Sequence, residues 1–243
     1  MAVHYNLREQ LLNEIGRQIV SGALAPGDIL PKEDALSESY AVSRTVVREA
    51  IKGLAARGLV ESRPKTGTSV QPRSEWQLLD PEVLEWMAAS EPDGRFLLRL
   101  AEVRAAIEPA AAALAARYAS DADLARIAEA FTQLETAVGD EEAWAAADLQ
   151  FHASIAAACH NELLTYIVGA LRRPLHSRRR LTVSFLGILE PSDVTAPYTT
   201  LAEESLARHR AVLHAIQQRD PAAAYAAAHA LLQRVIDALA HNQ

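Results

Sequence analysis

The stretch from Ser43 to Leu54, SRTVVREAIKGL, constrains the fold of this chain more than any other. A helix that begins after Ser43 turns about 100° per residue. Its apolar residues then share one arc: Val47, Ala50, Ile51 and Leu54. Its cationic and hydroxyl residues share the neighbouring arc: Arg44, Thr45, Arg48 and Lys52. Such a helix suits packing on one side and the DNA major groove on the other. Taken alone, a basic helix face is more commonly only solvated.

The flanking sequence is typical of a winged helix-turn-helix. Residues 7–20 have apolar side chains at helical spacing, Pro31 precedes a short helix over 32–40, and a three-residue turn leads to the helix after Ser43. Residues 58–70 form two short predicted strands around a Pro and Gly turn with Lys65 at its tip. Gly67 has no side chain, so the backbone there can approach a groove closely. We therefore predict a DNA-binding domain over residues 1–71.

Chain length and charge constrain the fold and location of the rest of the protein. The chain has 243 residues, half of them hydrophobic, which is enough for two folded domains. It has no long uncharged apolar run and no apolar signal core, so we expect a cytoplasmic protein that does not enter a membrane. The net charge is -7, yet residues 1–72 have nine Lys and Arg against eight Asp and Glu, a net +1. So small a positive charge favours a dimer for DNA binding.

The remainder is predicted to be almost entirely helical. Residues 72–90 are interpreted as a linker and connecting helix, and residues 91–243 as an all-α bundle. Helix formers alternate there with breaks, which indicates six or seven helices enclosing an interior. The stretch 184–200 is the longest irregular piece.

Three side chains of the helical region have chemical possibilities: Asp148, His152 and His209. Asp148 and His152 are four residues apart, so a helix projects both from one face, one turn apart. A carboxylate and an imidazole so placed can share one divalent ion, and His209 lies on a later helix. A surface hydrogen bond between Asp148 and His152, and a purely structural His209, explain the same spacing.

The phrases GALAPGDILP at 22–31, VSRTVVREA at 42–50 and RGLV at 57–60 closely resemble the winged-helix domain of the GntR family of bacterial transcription regulators. The resemblance covers residues 7–71 and implies that certain residues contact DNA: Arg44, Thr45, Arg48 and the wing residue Gly67. Lys65, at the basic tip of the wing, is also expected to contact DNA. Many members have Ser-Glu-Arg where this chain has Lys32, Glu33 and Asp34. Asp34 cannot donate to a phosphate, so either Lys32 substitutes or that contact is absent.

Residues 97–232 resemble the FCD effector domain of the FadR branch of that family. The resemblance implies that Asp148, His152 and His209 bind a divalent metal, with Zn favoured and Ni or Mn possible. A fourth histidine ligand is missing, because its position falls on Leu231 and His229 lies roughly 200° around the helix. We expect three protein ligands, with open positions for water or effector oxygens.

The same resemblance implies a small carboxylate effector. Arg104 matches the arginine that binds the effector carboxylate, Asp148 lies at the same site, and Ser205 matches a contact to a hydroxyl group. Without the resemblance, a surface Arg104 paired with Glu108 is equally acceptable. Residues 76–86 and 102–104 are similar to repressors of the branch that respond to galactonate and related sugar acids.

These features predict a homodimeric repressor that binds an inverted repeat in double-stranded DNA and is released by a small carboxylate or sugar acid such as an aldonate. Two alternatives remain open, a metal-dependent hydrolase with a DNA-binding domain and a metal-ion sensor. An enzyme is not favoured, because a general base could come only from Glu102 or Glu108 and neither lies in a catalytic phrase. The arginines of 172–180 are interpreted as a solvated or dimer-edge face, although one of them could reach the cavity.

Overall fold

The computed structural model describes residues 2–91, 94–177 and 198–240. They belong to two compact units, 1–92 and 93–243. The first is a winged helix-turn-helix and the second is a helical bundle, which confirms the predicted fold class. The predicted irregular stretch 184–200 lies outside the described residues, except that its last three residues begin a helix.

The first unit contains the predicted helices and wing. Its elements are α1 (Ala2–Val20), α2 (Glu33–Ser39), α3 (Arg44–Ala56), β1 (Val60–Arg63), β2 (Gly67–Val70), a 3-10 turn (Arg73–Glu75) and α4 (Pro81–Ser90). The Ser43 side chain accepts a hydrogen bond from the Val46 amide, 3.3 Å away, and so begins α3 as predicted. The two strands pair antiparallel, with Val60 opposite Val70.

The core of the first unit lies between α1, α3 and α4. The apolar arc of α3 is buried and packs on α1, so the amphipathic pattern decides which face of α3 stays exposed. Trp86 of α4 packs against Gly16 of α1, where an added Cβ would approach its ring to 2.6 Å. The Trp86 indole N–H also donates to Asn13 Oδ1, 2.8 Å away. Helix α4 is therefore part of this core.

The second unit has six helices among the described residues: α5 (Arg95–Tyr118), α6 (Asp121–Thr136), α7 (Glu141–Ala158), α8 (Glu162–Ser177), α9 (Tyr198–Gln217) and α10 (Pro221–Ala240). Side-chain caps begin several of them; Asn161, for example, accepts hydrogen bonds from the Leu163 and Leu164 amides. Small alanines along α5 allow α10 to pack closely against it. None of the described helices combines the length and the apolar character needed to cross a bilayer.

Candidate metal centre and DNA-binding surface

The three predicted metal ligands meet inside the second unit. Asp148 and His152 project from α7 and His209 projects from α9, and all three are buried. Their ligand atoms lie within 4.8 Å of one another. Asp148 Oδ1 is 2.9 Å from His209 Nε2 and 3.6 Å from His152 Nε2.

Neighbouring oxygens orient both imidazole rings. His209 Nδ1 is 2.8 Å from the carbonyl oxygen of Ser205, and His152 Nδ1 is 3.2 Å from Glu108 Oε2. A neutral ring that donates from Nδ1 has its lone pair on Nε2. In neutral rings both Nε2 lone pairs then face the Asp148 carboxylate, an arrangement that repels unless the rings are protonated or a cation lies between them. These outer hydrogen bonds are those that orient histidine ligands around metals, so the residues present fit a metal ion.

Glu108 of α5 joins this cluster to two buried arginines. Its Oε1 accepts from Arg104 Nε at 2.7 Å and from Arg172 Nε at 3.0 Å, and its Oε2 accepts from an Arg172 Nη at 2.7 Å. Arg172 also approaches Asp148 Oδ2 to 3.4 Å. Arg104 is thus paired with Glu108, as one interpretation held, but it is buried rather than on the surface. The interpretation of residues 172–180 as a solvated or dimer-edge face is wrong for Arg172, which is buried in this cluster as the alternative for one of these arginines allowed. The side chains of the other arginines in 173–180 lie outside the described part of the chain.

The two carboxylates of the cluster stay ionised. Burial raises the pKa of Glu108, but the charges of Arg104 and Arg172 outweigh it and hold that pKa well below its usual range. Burial likewise raises the pKa of Asp148, and protonated His152 and His209 rings, through their charge and hydrogen bonds, hold it well below normal. As metal ligands the histidines must be neutral, and two guanidinium groups then balance two carboxylates. A bound dication would give the cluster two positive charges and favour an anionic ligand.

A small cavity adjoins His152 and Glu108. Its remaining lining is apolar and comes from α5, α7, α8, α9 and α10, and it has room for about one water molecule. Among the described residues of the unit, two buried donor atoms have no hydrogen-bond partner, Ser205 Oγ and Trp144 Nε1. Ser205 precedes His209 by one turn on α9, and the Trp144 ring lies edge-on to the His209 ring at 6.2 Å. Unpaired buried donors are costly, so both atoms suit an oxygen-bearing ligand.

Reasoning from sequence missed the full roles of Glu108, Arg172 and Trp144. A signal for Arg172 was present, because it follows the apolar Val168 by one helical turn and so falls on the buried face of α8. His229 lies outside the cluster. It is exposed on α10 and stacks on the ring of Tyr225.

The residues predicted to contact DNA are exposed on the first unit: Lys32, Arg44, Thr45, Arg48, Lys65 and Gly67. Lys65 and Gly67 have φ values of 67° and 96°, which is the left-handed conformation of the wing turn. The arginines of α3 do not stand alone, because Arg44 Nε is 2.8 Å from Asp34 Oδ1 and Arg48 Nε is 2.7 Å from Glu33 Oε2.

Fold and site together define a class of protein. A winged helix-turn-helix with an exposed basic helix is a DNA-binding domain, and the helical unit in the same chain holds a buried cluster of charged side chains that could bind a metal ion. The chain is therefore a DNA-binding transcription regulator with a second, sensor-like domain.

Comparison with known families makes this assignment specific. The model of bacterial regulatory proteins of the gntR family matches residues 7–70, and the FCD domain model matches residues 99–234. The chain belongs to the GntR family, in its FadR subfamily with an FCD domain, which confirms the resemblance. The family consists of transcription regulators, so the prediction that the chain is not an enzyme is confirmed and the hydrolase alternative is removed.

Several curated relatives match nearly the whole chain. The galactonate operon transcriptional repressor of Escherichia coli K12 is 33% identical over 226 residues, which cover 92% of each protein. The regulator LutR of Bacillus subtilis is 34% identical over 91% of this chain and 95% of its own. Among solved structures, Lar of Listeria monocytogenes is similar in fold, with a TM-score of 0.63 at 17% identity and 96% coverage of both chains.

Proposed function

We propose that this regulator is a homodimeric repressor that binds an inverted repeat and is released by a sugar acid such as an aldonate. The similarity to the galactonate operon repressor supports repression and this effector class. Two-fold symmetry in the protein imposes two-fold symmetry on the operator. Residues 91–243 would bind the effector and form the dimer, and residues 72–90 would connect them to the DNA-binding domain, 1–71.

The convergence of two Nε2 atoms on the Asp148 carboxylate carries the proposal. Asp148, His152 and His209 would hold the metal, which we propose to be Zn; this mixed N/O set also suits Ni or Mn. When bound, the metal would supply open positions for the carboxylate and hydroxyl oxygens of the effector. Three protein ligands leave such positions, and His229 contributes none.

The charges and donors around the metal support a hydroxylated acid as the effector. A metal-loaded cluster would have two excess positive charges, which an anion offsets. Ser205 and Trp144 would donate to effector oxygens, since their buried donors have no partner in the part of the chain that the structure describes. Arg104 donates to Glu108, and both oxygens of Glu108 already accept from guanidinium groups. Arg104 would therefore exchange this partner for the effector carboxylate.

Gel shifts with the metal-loaded dimer test this function. An operator can be selected from random duplexes, and its affinity compared with and without D-galactonate and related aldonates. Near-complete release requires the effector to favour the DNA-free form by about 5.5 kcal/mol, or roughly 10⁴-fold. The Asp148→Asn variant should bind the operator but not respond. If no sugar acid or small carboxylate changes the affinity of the metal-loaded protein, the effector proposal is wrong.

A metal-ion sensor is the second candidate, and the small size of the cavity beside His152 favours it. In that case Zn, Ni or Mn alone would change operator affinity, without any organic acid. Titrating each ion into the metal-free dimer separates the two functions. The choice between repression and activation needs a reporter gene, because a Glc operon transcriptional activator of E. coli is 30% identical over 67% of this chain.

A further inference from the structure

The three cationic side chains along the exposed arc of α3 each have a carboxylate partner. Arg44 pairs with Asp34 and Arg48 with Glu33, both on α2, through Nε contacts of 2.8 and 2.7 Å. Lys52 Nζ lies 2.9 Å from Glu49 Oε1 on α3 itself. The carboxylates of α2 and α3 therefore cancel most of the positive charge on the surface that is expected to attract DNA phosphates.

Two other cations are not restrained in this way. Lys32 at the start of α2 and Lys65 at the wing tip are exposed and form no ion pair among the described residues. A free cation near a phosphate displaces a counterion from DNA and adds affinity for any sequence. An arginine paired with a carboxylate approaches DNA as a nearly neutral unit, so its attraction to the phosphates is largely cancelled.

Pairing still leaves each arginine able to bind a base. A guanidinium group has five N–H donors, and a carboxylate on the Nε side uses at most two of them. The side chains of Arg44 and Arg48 remain 65% and 63% exposed, so their other donors are accessible. Guanine offers two acceptors, O6 and N7, at the spacing of two guanidinium donors. A guanidinium group that a carboxylate already holds at Nε loses less rotamer freedom when it binds the guanine edge.

We propose that Glu33 and Asp34 are specificity-determining residues that direct Arg44 and Arg48 toward guanine edges and away from phosphates. The carboxylates would lower the affinity for DNA of arbitrary sequence and fix the guanidinium groups of Arg44 and Arg48 for base recognition. Lys32 and Lys65 would then provide the sequence-independent contacts. Asp34 acquires a function at the position where many family members have an arginine.

The test compares the double variant Glu33→Gln/Asp34→Asn with a matched control, Glu14→Gln/Glu38→Gln. The control removes the same charge from exposed residues of α1 and α2 that have no contact with Arg44 or Arg48. Each full-length protein is titrated with a random-sequence duplex at several salt concentrations, and then used to select binding sites from a random pool. Circular dichroism checks that the variants are folded.

For the double variant we expect affinity for the random duplex to rise on the order of tenfold above both wild type and control, with a salt slope steeper by up to about 1.8. Sites selected by the wild type should contain guanines whose replacement by adenine costs roughly 10- to 100-fold in affinity, and the double variant should lose most of that discrimination. The proposal is overturned if the double variant matches the control in affinity and slope, or if its guanine preference is unchanged.

Discussion

At the scale of single residues, His209 and His152 differ from His229 in what surrounds each ring. The first two have an acceptor at Nδ1 and Asp148 at Nε2, whereas His229 is exposed and stacks on Tyr225. A ring whose Nδ1 atom already has an acceptor has lost its orientational freedom before a metal binds at Nε2. This difference makes the metal proposal testable by a graded series of variants.

We expect the variants to rank by their distance from the metal. Glu108→Gln should weaken Zn binding about 10- to 100-fold by removing the outer partner of His152, and His209→Gln should weaken it further by removing a ligand. His229→Gln should have no effect. Chelator competition on the purified proteins measures the affinities. Equal Zn binding by the His209 and His229 variants would contradict the proposed ligand set.

Asp123 illustrates a residue whose ionisation stabilises the fold. The Ser120 hydroxyl and amide donate to its Oδ2 at 2.6 and 2.8 Å, and His160 Nε2 lies 2.9 Å away. The Ser120 bonds, together with His160 and Arg126, hold the pKa of Asp123 well below its usual range. Because the folded-state pKa is lowered, this stabilisation is complete above the unfolded value of about 3.9 and is lost as pH falls further.

The Asp123→Asn variant should therefore lose about 1 to 2 kcal/mol of unfolding free energy at pH 7, as expected for a damaged capping box. The gap to wild type should shrink as the pH is lowered from about 5 toward 2. Urea unfolding followed by circular dichroism across this range measures it. Asp121→Asn, at an exposed position two residues earlier, is the control and should change little. A gap that stays constant with pH would show that the Asp123 charge is not responsible.

At the scale of elements, α4 is joined to the end of α3 by Arg57. This partly buried guanidinium donates to the Gly53 carbonyl at 2.9 Å and to Asp80 Oδ1 at 3.1 Å, and it also pairs with Glu82. Asp80 in turn accepts from the Glu82 and Val83 amides and so begins α4. One side chain thus connects the DNA-binding helix to the helix that precedes the second unit.

Removing Arg57 should loosen the start of α4. In Arg57→Ala, Asp80 loses its charged partner, so the amides of the first turn should exchange with solvent on the order of tenfold faster, equivalent to about 1.4 kcal/mol. Hydrogen exchange read by mass spectrometry on peptides covering 78–90 would detect this. Arg63→Ala serves as control because its pair with Glu61 is exposed. Unchanged exchange in the Arg57 variant would mean that α4 is held by apolar packing alone.

The turn after α3 depends on one glycine. Gly58 has a φ of 72°, and a Cβ added there would lie 2.0 Å from the Glu75 carbonyl oxygen. Gly22 has a similar φ of 82° but has nothing within 4 Å of such an atom. Gly58→Ala should therefore unfold or strongly destabilise the first unit, by more than about 3 kcal/mol, whereas Gly22→Ala should lose only about 1 to 2 kcal/mol. Thermal melts of both variants compare the two costs, and equal losses would leave backbone strain as the sole effect.

At the scale of the whole molecule, the two units have separate cores and separate tasks. The proposed metal ligands all belong to the second unit, and two of the three tryptophans, Trp76 and Trp86, belong to the first. A ligand that binds only the folded form stabilises the unit that holds it. Each unit can therefore be followed by its own signal, since unfolding of a two-unit chain need not be a single transition.

Chelation should destabilise the second unit alone. At metal concentrations about a thousandfold above the dissociation constant, removing the metal costs about 4 kcal/mol. The melting transition of the helical bundle, seen by circular dichroism, should fall on adding EDTA. In Trp144→Phe the remaining tryptophan fluorescence reports on the first unit, and its transition should not move. Asp148→Asn should be insensitive to EDTA in both signals, and an EDTA effect in that variant would place the metal elsewhere.

Local sequence was enough for the fold class and for part of the site. Helical spacing, the Ser43 cap and the Pro and Gly turns specify the elements of the first unit because they act within a few residues. The same local rule placed Asp148 and His152 on one face of α7. The role of His209 as third ligand came from the family resemblance, and the role of Glu108 as acceptor for His152 and Arg172 went unrecognised.

The tertiary structure alone decided which side chains meet across helices. Glu108 and Arg172 are 64 residues apart in sequence, and Asp148 and His209 are 61 apart. Periodicity gives the buried face of each helix, but the crossing and axial offset of two helices determine which residues on those faces touch. The pairing of Asp34 with Arg44 has the same origin, since it depends on how α2 packs against α3. Short-range physics fixed the elements of this protein, and long-range packing fixed its charge network.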